Sequence, residues 1–90
     1  MKSPLKKSKN KSLNLGSYLK ESRVQLNLTQ NQVAERLNLT PQFISSIELA
    51  KCSPPKNILK KMIIFYKIDP QVIITLILKE EIQRLEELLL

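Results

Sequence analysis

The sequence predicts an all-α domain, and three observations carry that expectation. Leu, Ile, Lys, Gln and Glu recur at helical spacings along most of the chain. One glycine and two phenylalanines are too few turn formers and aromatics for a turn-rich β fold, yet 42% hydrophobic residues suffice for a modest core. Cap-then-helix signals also recur, at Thr29, Thr40-Pro41 and Asp69-Pro70. Ninety residues hold one small domain and not two.

The elements follow in order. Residues 1–12 have no hydrophobic period and five lysines, and read as a disordered basic arm. A first helix is expected over about Leu15–Leu26, capped by Asn14, with Leu15, Leu19 and Leu26 along one face. Thr29-Gln30-Asn31-Gln32 is a T-x-x-Q capping box, so a second helix starts there and ends near Leu37. Asn38 stands where the chain must turn sharply, and asparagine tolerates the left-handed conformation. Thr40 caps a third helix with Pro41 at its first position, where no N–H is needed. Phe43, Ile44 and Ile47 form its buried stripe. A fourth helix is expected over about 55–66, with Leu59, Met62, Ile63 and Tyr66 inward. Asp69-Pro70 opens a fifth, which nothing breaks before about Leu88.

Charge is uneven. Residues 1–12 carry five lysines and no acid, residues 13–66 seven bases and three acids, and residues 67–90 three bases and five acids, for a total of +7. The positive end suits a polyanion such as nucleic acid; the acidic end is better placed away from it. With no histidine and a lone Cys52, the chain can make neither an intramolecular disulfide nor a Cys/His metal site, and His-based acid–base catalysis is excluded. No cofactor is expected. No apolar segment follows the basic N-terminus, and the run Val72–Leu78 is far short of the roughly 20 residues of a membrane span. The expectation is a cytoplasmic, nucleoid-associated protein.

Residues 29–54 are the most informative stretch: two short helices joined by a tight turn, the second with an outward polar face of Thr40, Gln42, Ser45, Ser46 and, at its end, Leu49. That is the layout of a helix-turn-helix DNA reader. Ala34 is small where the two helices approach, and Ile44 plugs the angle between them. Glutamine can bond bidentately to adenine in the major groove, and serine and threonine to several base edges.

Residues 15–73 resemble the Cro/phage-repressor (Xre-type) helix-turn-helix family. They carry its running pattern of a Leu-x-x-x-Arg helix, Leu-Thr-Gln-x-x-Val-Ala, Leu-Asn-Leu-Thr, Ile-Ser-x-Ile-Glu and a Pro-led helix. The resemblance implies a compact five-helix, lambda-repressor-like domain whose second and third helices bind DNA, in a family of mostly dimeric regulators. It implies a phosphate contact for Gln30, base-reading positions at Pro41, Gln42 and Ser46, and a backbone contact for Lys51. It also pairs Arg23 with Glu48 as a buried salt bridge, whose disruption costs about 3–5 kcal/mol. Asn38 replaces the family's usual turn glycine, and Ala50 the glycine after Ile-Glu-x. A positive φ at Ala50 implies strain of roughly 1–2 kcal/mol, or a loop that takes a different path before Lys51. The reading face lacks arginine and Pro41 cannot bond a base edge, so DNA shape carries part of the discrimination.

The flanks leave alternatives. The lysine arm either follows phosphates or enters a minor groove, or it is a solvated tail. Lys20, Lys56, Lys60 and Lys61 either flank the groove or are simply solvated. In the C-terminal extension, residues 74–90, Leu78, Ile82, Leu85 and Leu89 alternate spacings of four, three and four, a coiled-coil seam. It either builds a homodimer, as the extra apolar surface of Ile64 and Phe65 favours, or folds back over its own core. The leading functional expectation is a dimeric, sequence-specific regulator of double-stranded DNA, a repressor rather than an enzyme. The competing readings are a protein–protein interaction module or antitoxin-like partner on the same fold, and non-specific binding through the lysines.

Overall fold

The N-terminal ends of the helices obey local side-chain chemistry. The computed structural model describes residues 14–90, so the basic arm lies outside the described residues. Five helices follow: α1 (Leu15–Gln25), α2 (Gln30–Leu37), α3 (Pro41–Glu48), α4 (Lys56–Tyr66) and α5 (Pro70–Leu89). Asn14 Oδ1 accepts from the Ser17 N–H at 2.8 Å, and the Ser17 hydroxyl accepts from the Asn14 N–H at 3.1 Å, a complete capping box. The expected Thr29–Gln32 box forms the same way, with distances of 3.1 and 2.8 Å. Thr40 Oγ1 accepts from the Phe43 N–H at 3.1 Å, and Asp69 Oδ1 from the Gln71 N–H at 3.0 Å, each with proline at the first helical position.

The C-terminal ends share one device. Each of the first four helices stops at a residue with φ near +60°: Asn27, Asn38, Ala50 and Lys67. At each, two backbone N–H groups turn back onto the last carbonyls, as in Asn27→Val24 with Leu28→Arg23, and Ala50→Ile47 with Lys51→Ser46. This is the Schellman closure, and it satisfies carbonyls the helix itself leaves open. Ala50 takes the left-handed turn despite its Cβ, so the loop does not follow a different path and strain is retained instead.

The chain's one glycine serves none of these turns. Gly16 lies in the first turn of α1, where an added Cβ would sit 2.5 Å from the Ile47 carbonyl oxygen and 2.8 Å from that of Glu48. The glycine thus allows the start of α1 to abut the end of α3. Leu19, Val33, Ile44, Ile47 and Met62 fill the core behind that contact, all essentially inaccessible, and Ala34 is buried where α2 meets α3. One expectation needs correction. Leu26 lies past the end of α1 and is 43% exposed, because the helix closes at Gln25. In α4 Ile58 joins Met62 and Tyr66 as a buried residue, and Leu59 and Ile63 face inward but stay half-buried against the core. No helix among the described residues is long and apolar enough to cross a membrane.

Tyr66 is 4% exposed, and its hydroxyl has no hydrogen-bond partner among the described residues. Burial, reinforced by the Glu48 charge and opposed by Arg23, pushes its pKa up to about 12.

Three stability outcomes follow. Gly16→Ala lowers stability by an amount at or above the upper end of the overpacking range of about 1–3 kcal/mol, because both opposing atoms are backbone. Ala50→Gly raises it by about 0.5–1 kcal/mol, the relieved strain less the entropy of glycine. Urea midpoints check both. Tyr66→Phe is neutral or stabilising at pH 7, since an unpaired hydroxyl is removed. The phenol holds its proton more tightly when folded, so its contribution is complete below about pH 10 and is lost as pH climbs towards 12. Over that window the parent loses on the order of 2–3 kcal/mol relative to the phenylalanine variant, read from paired denaturation curves.

Candidate nucleic-acid interface

Helix α3 is held at its last residue by a buried ion pair. Arg23 Nε donates to Glu48 Oε2 at 2.7 Å and Nη2 to Oε1 at 3.1 Å, and the two side chains are almost fully enclosed. Arg23 Nη1 donates to the Leu28 carbonyl at 2.7 Å. Gln30 Nε2 donates to Glu48 Oε1 at 3.0 Å. The network therefore joins α1, the α1–α2 turn, the first residue of α2 and the end of α3. Glu48 raises the Arg23 pKa above its ordinary value, chiefly through the hydrogen bond and against the pull of burial.

With α3 fixed, its outward face is determined. Gln42, Ser45, Ser46 and Leu49 follow at spacings of three, four and seven from the first, so they share one side of the helix. Gln42 and Leu49 are exposed, and Ser45 and Ser46 are half-buried. The Gln42 amide makes no hydrogen bond among the described residues, which leaves its donors and acceptor available. Thr40 is exposed at the head of the helix; its oxygen accepts the capping bond, and its O–H can still donate. Pro41 is half-buried beside it. Lys51 is exposed just past the helix, where a cation also complements the negative end of the helix dipole. Gln30 is half-buried and already gives one N–H to Glu48, so one amide N–H remains. The flanking lysines Lys20, Lys56, Lys60 and Lys61 are all exposed.

Three contributors were not anticipated from sequence. Gly16 had a signal, because a lone glycine in a helical run costs about 1 kcal/mol against alanine and so calls for a packing reason. Glu80 of α5 accepts the first N–H of α1, that of Leu15, at 2.6 Å, and nothing local announces a partner 65 residues away. Arg36 lies over the Phe65 ring at 5.1 Å, so one of the bases near the domain's surface is committed to holding α2 on α4.

No curated protein and no solved structure matches the chain. A helix-turn-helix family profile does match it, over residues 19–73, well over half of the sequence and the whole span from the middle of α1 into α5. The chain thus belongs to the Cro/phage-repressor type of helix-turn-helix family, a family of DNA-binding regulators.

Proposed function

We propose that this chain is a sequence-specific transcriptional regulator of double-stranded DNA that acts as a repressor by occupying a promoter. The observation that carries the reading is the unpaired Gln42 amide on the outer face of a helix whose angle is fixed by the Arg23–Glu48 pair. In this reading α3 lies in the major groove. Gln42 bonds an adenine bidentately, Ser46 and Ser45 meet neighbouring base edges, and Thr40 and Pro41 approach the groove wall, Pro41 through apolar contact alone. Gln30 and Lys51 hold phosphates and set the register. The flanking lysines and the basic arm add salt-dependent affinity without sequence information. No cofactor takes part.

The active form is a homodimer, and the exposed apolar stripe of α5 supports this. A two-fold dimer places its reading helices about one DNA turn, roughly 34 Å, apart and predicts a nearly palindromic site. The same stripe is what favours the second reading, in which α5 grips a different protein in the manner of an antitoxin.

Selection from a randomised duplex library at near-physiological salt is expected to enrich two half-sites at fixed spacing. Gln42→Ala then costs about 1–3 kcal/mol on the selected site and relaxes preference at one position per half-site. Lys51→Ala weakens all sequences alike and lowers the salt slope by about one ion per protomer. Flat enrichment despite tight binding assigns the affinity to the lysines and removes the sequence-specific reading. Absence of duplex binding removes the regulator altogether.

A further inference from the structure

Helix α5 has two faces with different fates. Ile73 and Leu76 are buried and Glu80 is half-buried against the domain. With 3.6 residues per turn, Leu78, Ile82, Leu85 and Leu89 lie about 180° around the helix from that face. These four are 44–74% exposed, and Ile74 extends their line. The domain that carries the stripe is on the opposite side, so it does not fold back over its own core.

We propose that a second copy of this chain covers the stripe with the two α5 helices antiparallel, Leu78 facing the partner's Leu89 and Ile82 facing the partner's Leu85. This rests on the dimeric reading above and adds its geometry. The flanking charges choose it. Around this seam Lys79 and Glu86 border one side, and Glu81 and Leu88 the other. A parallel pair sets Glu81 against the partner's Glu86, twice by symmetry. An antiparallel pair instead brings like sides together, so that Lys79 meets the partner's Glu86 twice and Glu81 meets the partner's Leu88. Sliding the antiparallel pair by one heptad sets Lys79 against the partner's Lys79 and Glu81 against the partner's Glu81. The Leu78–Leu89 register is therefore the arrangement of the three that has attraction and no like-charge contact. Arg84 pairs with Glu81 within its own helix in every case and does not discriminate among them.

Two measurements on the full chain test this. With Cys52→Ser as background, oxidation of Leu89→Cys alone gives no disulfide dimer, because the two copies of position 89 stand about 16 Å apart along the seam, beyond disulfide reach. An equimolar mixture of Leu78→Cys and Leu89→Cys chains gives the mixed disulfide. In sedimentation equilibrium, Glu86→Lys weakens the dimer about tenfold, since two exposed attractions become repulsions. Adding Lys79→Glu to it restores the dimer. A dimer in which Leu89→Cys links to itself and Glu86→Lys tightens association is parallel; it overturns the inference and leaves the dimer standing. A dimer that neither cross-links nor responds to the charge swap uses another face and overturns it equally. A helical monomer at every concentration removes the inference and the dimeric reading together, while the duplex selection still decides DNA reading on its own.

Discussion

Helix α3 has eight residues, too few to persist as a helix in water, so its shape and angle are set by what it leans against. That support is α1. Gly16 lets the backbone of α1 reach the carbonyls of Ile47 and Glu48, and two turns later Arg23 binds the Glu48 side chain through Nε and Nη2. The two contacts act at the same end of α3 from different turns of α1, which fixes rotation as well as position. A buried ion pair is a poor source of net stability, because desolvation offsets most of the attraction. It is a good source of geometry, because every alternative arrangement leaves a charge enclosed without its partner. Here the remaining polar demands are met by Leu28 and Gln30, so the penalty is spread over four hydrogen bonds.

The helix ends follow from a shortage of glycine. With the chain's one glycine committed to the α1–α3 contact, the described residues make four left-handed turns from two asparagines, an alanine and a lysine. The asparagines bear this readily; the alanine and the lysine do so at some expense. Packing supplies the compensation at three of the four. Leu28, Leu39 and Ile68 follow the turn and pack on the core, the hydrophobic contact that usually accompanies a Schellman closure. After α3 the corresponding residue is Lys51, which is exposed. That turn has no apolar anchor, and its geometry sends a cation outward at the end of the helix.

What could be read from the sequence was what the chain settles locally. Asn14, Thr29, Thr40 and Asp69 cap helices through bonds to residues two or three positions on, so their roles lie within a short window. The outward face of α3 was legible for the same reason, since spacing alone places Gln42, Ser45, Ser46 and Leu49 together. The phase of α4 was not. Ile58, Leu59, Met62, Ile63, Ile64, Phe65 and Tyr66 are apolar nearly all round the helix, and only packing selects Ile58 over Leu59 as the buried one. The Arg23–Glu48 pair, 25 residues apart, was visible only through the family pattern. The commitment of Gln30 to Glu48, the cap from Glu80 and the close approach at Gly16 are tertiary facts with no periodic trace.

Those tertiary facts lie along one line. Glu80 on α5 accepts the first N–H of α1, where a carboxylate is also favoured by the helix dipole. The next residue is Gly16, and Gly16 touches the end of α3. Two contacts therefore separate the helix that carries the apolar stripe from α3 and its outward polar face. The path is short: a 2.6 Å bond from the Leu15 N–H to Glu80, then a backbone approach at Gly16 that leaves no room for a Cβ. So short a link has its own consequence for the dimer proposed above. A slip of one heptad between two antiparallel α5 helices would shift one domain past the other by about 10 Å, close to three base-pair steps of DNA. Under the proposed dimer, surface charges worth only a fraction of a kcal/mol each for affinity would then decide the spacing of the half-sites, because Lys79, Glu81 and Glu86 would set the register of the α5 pair.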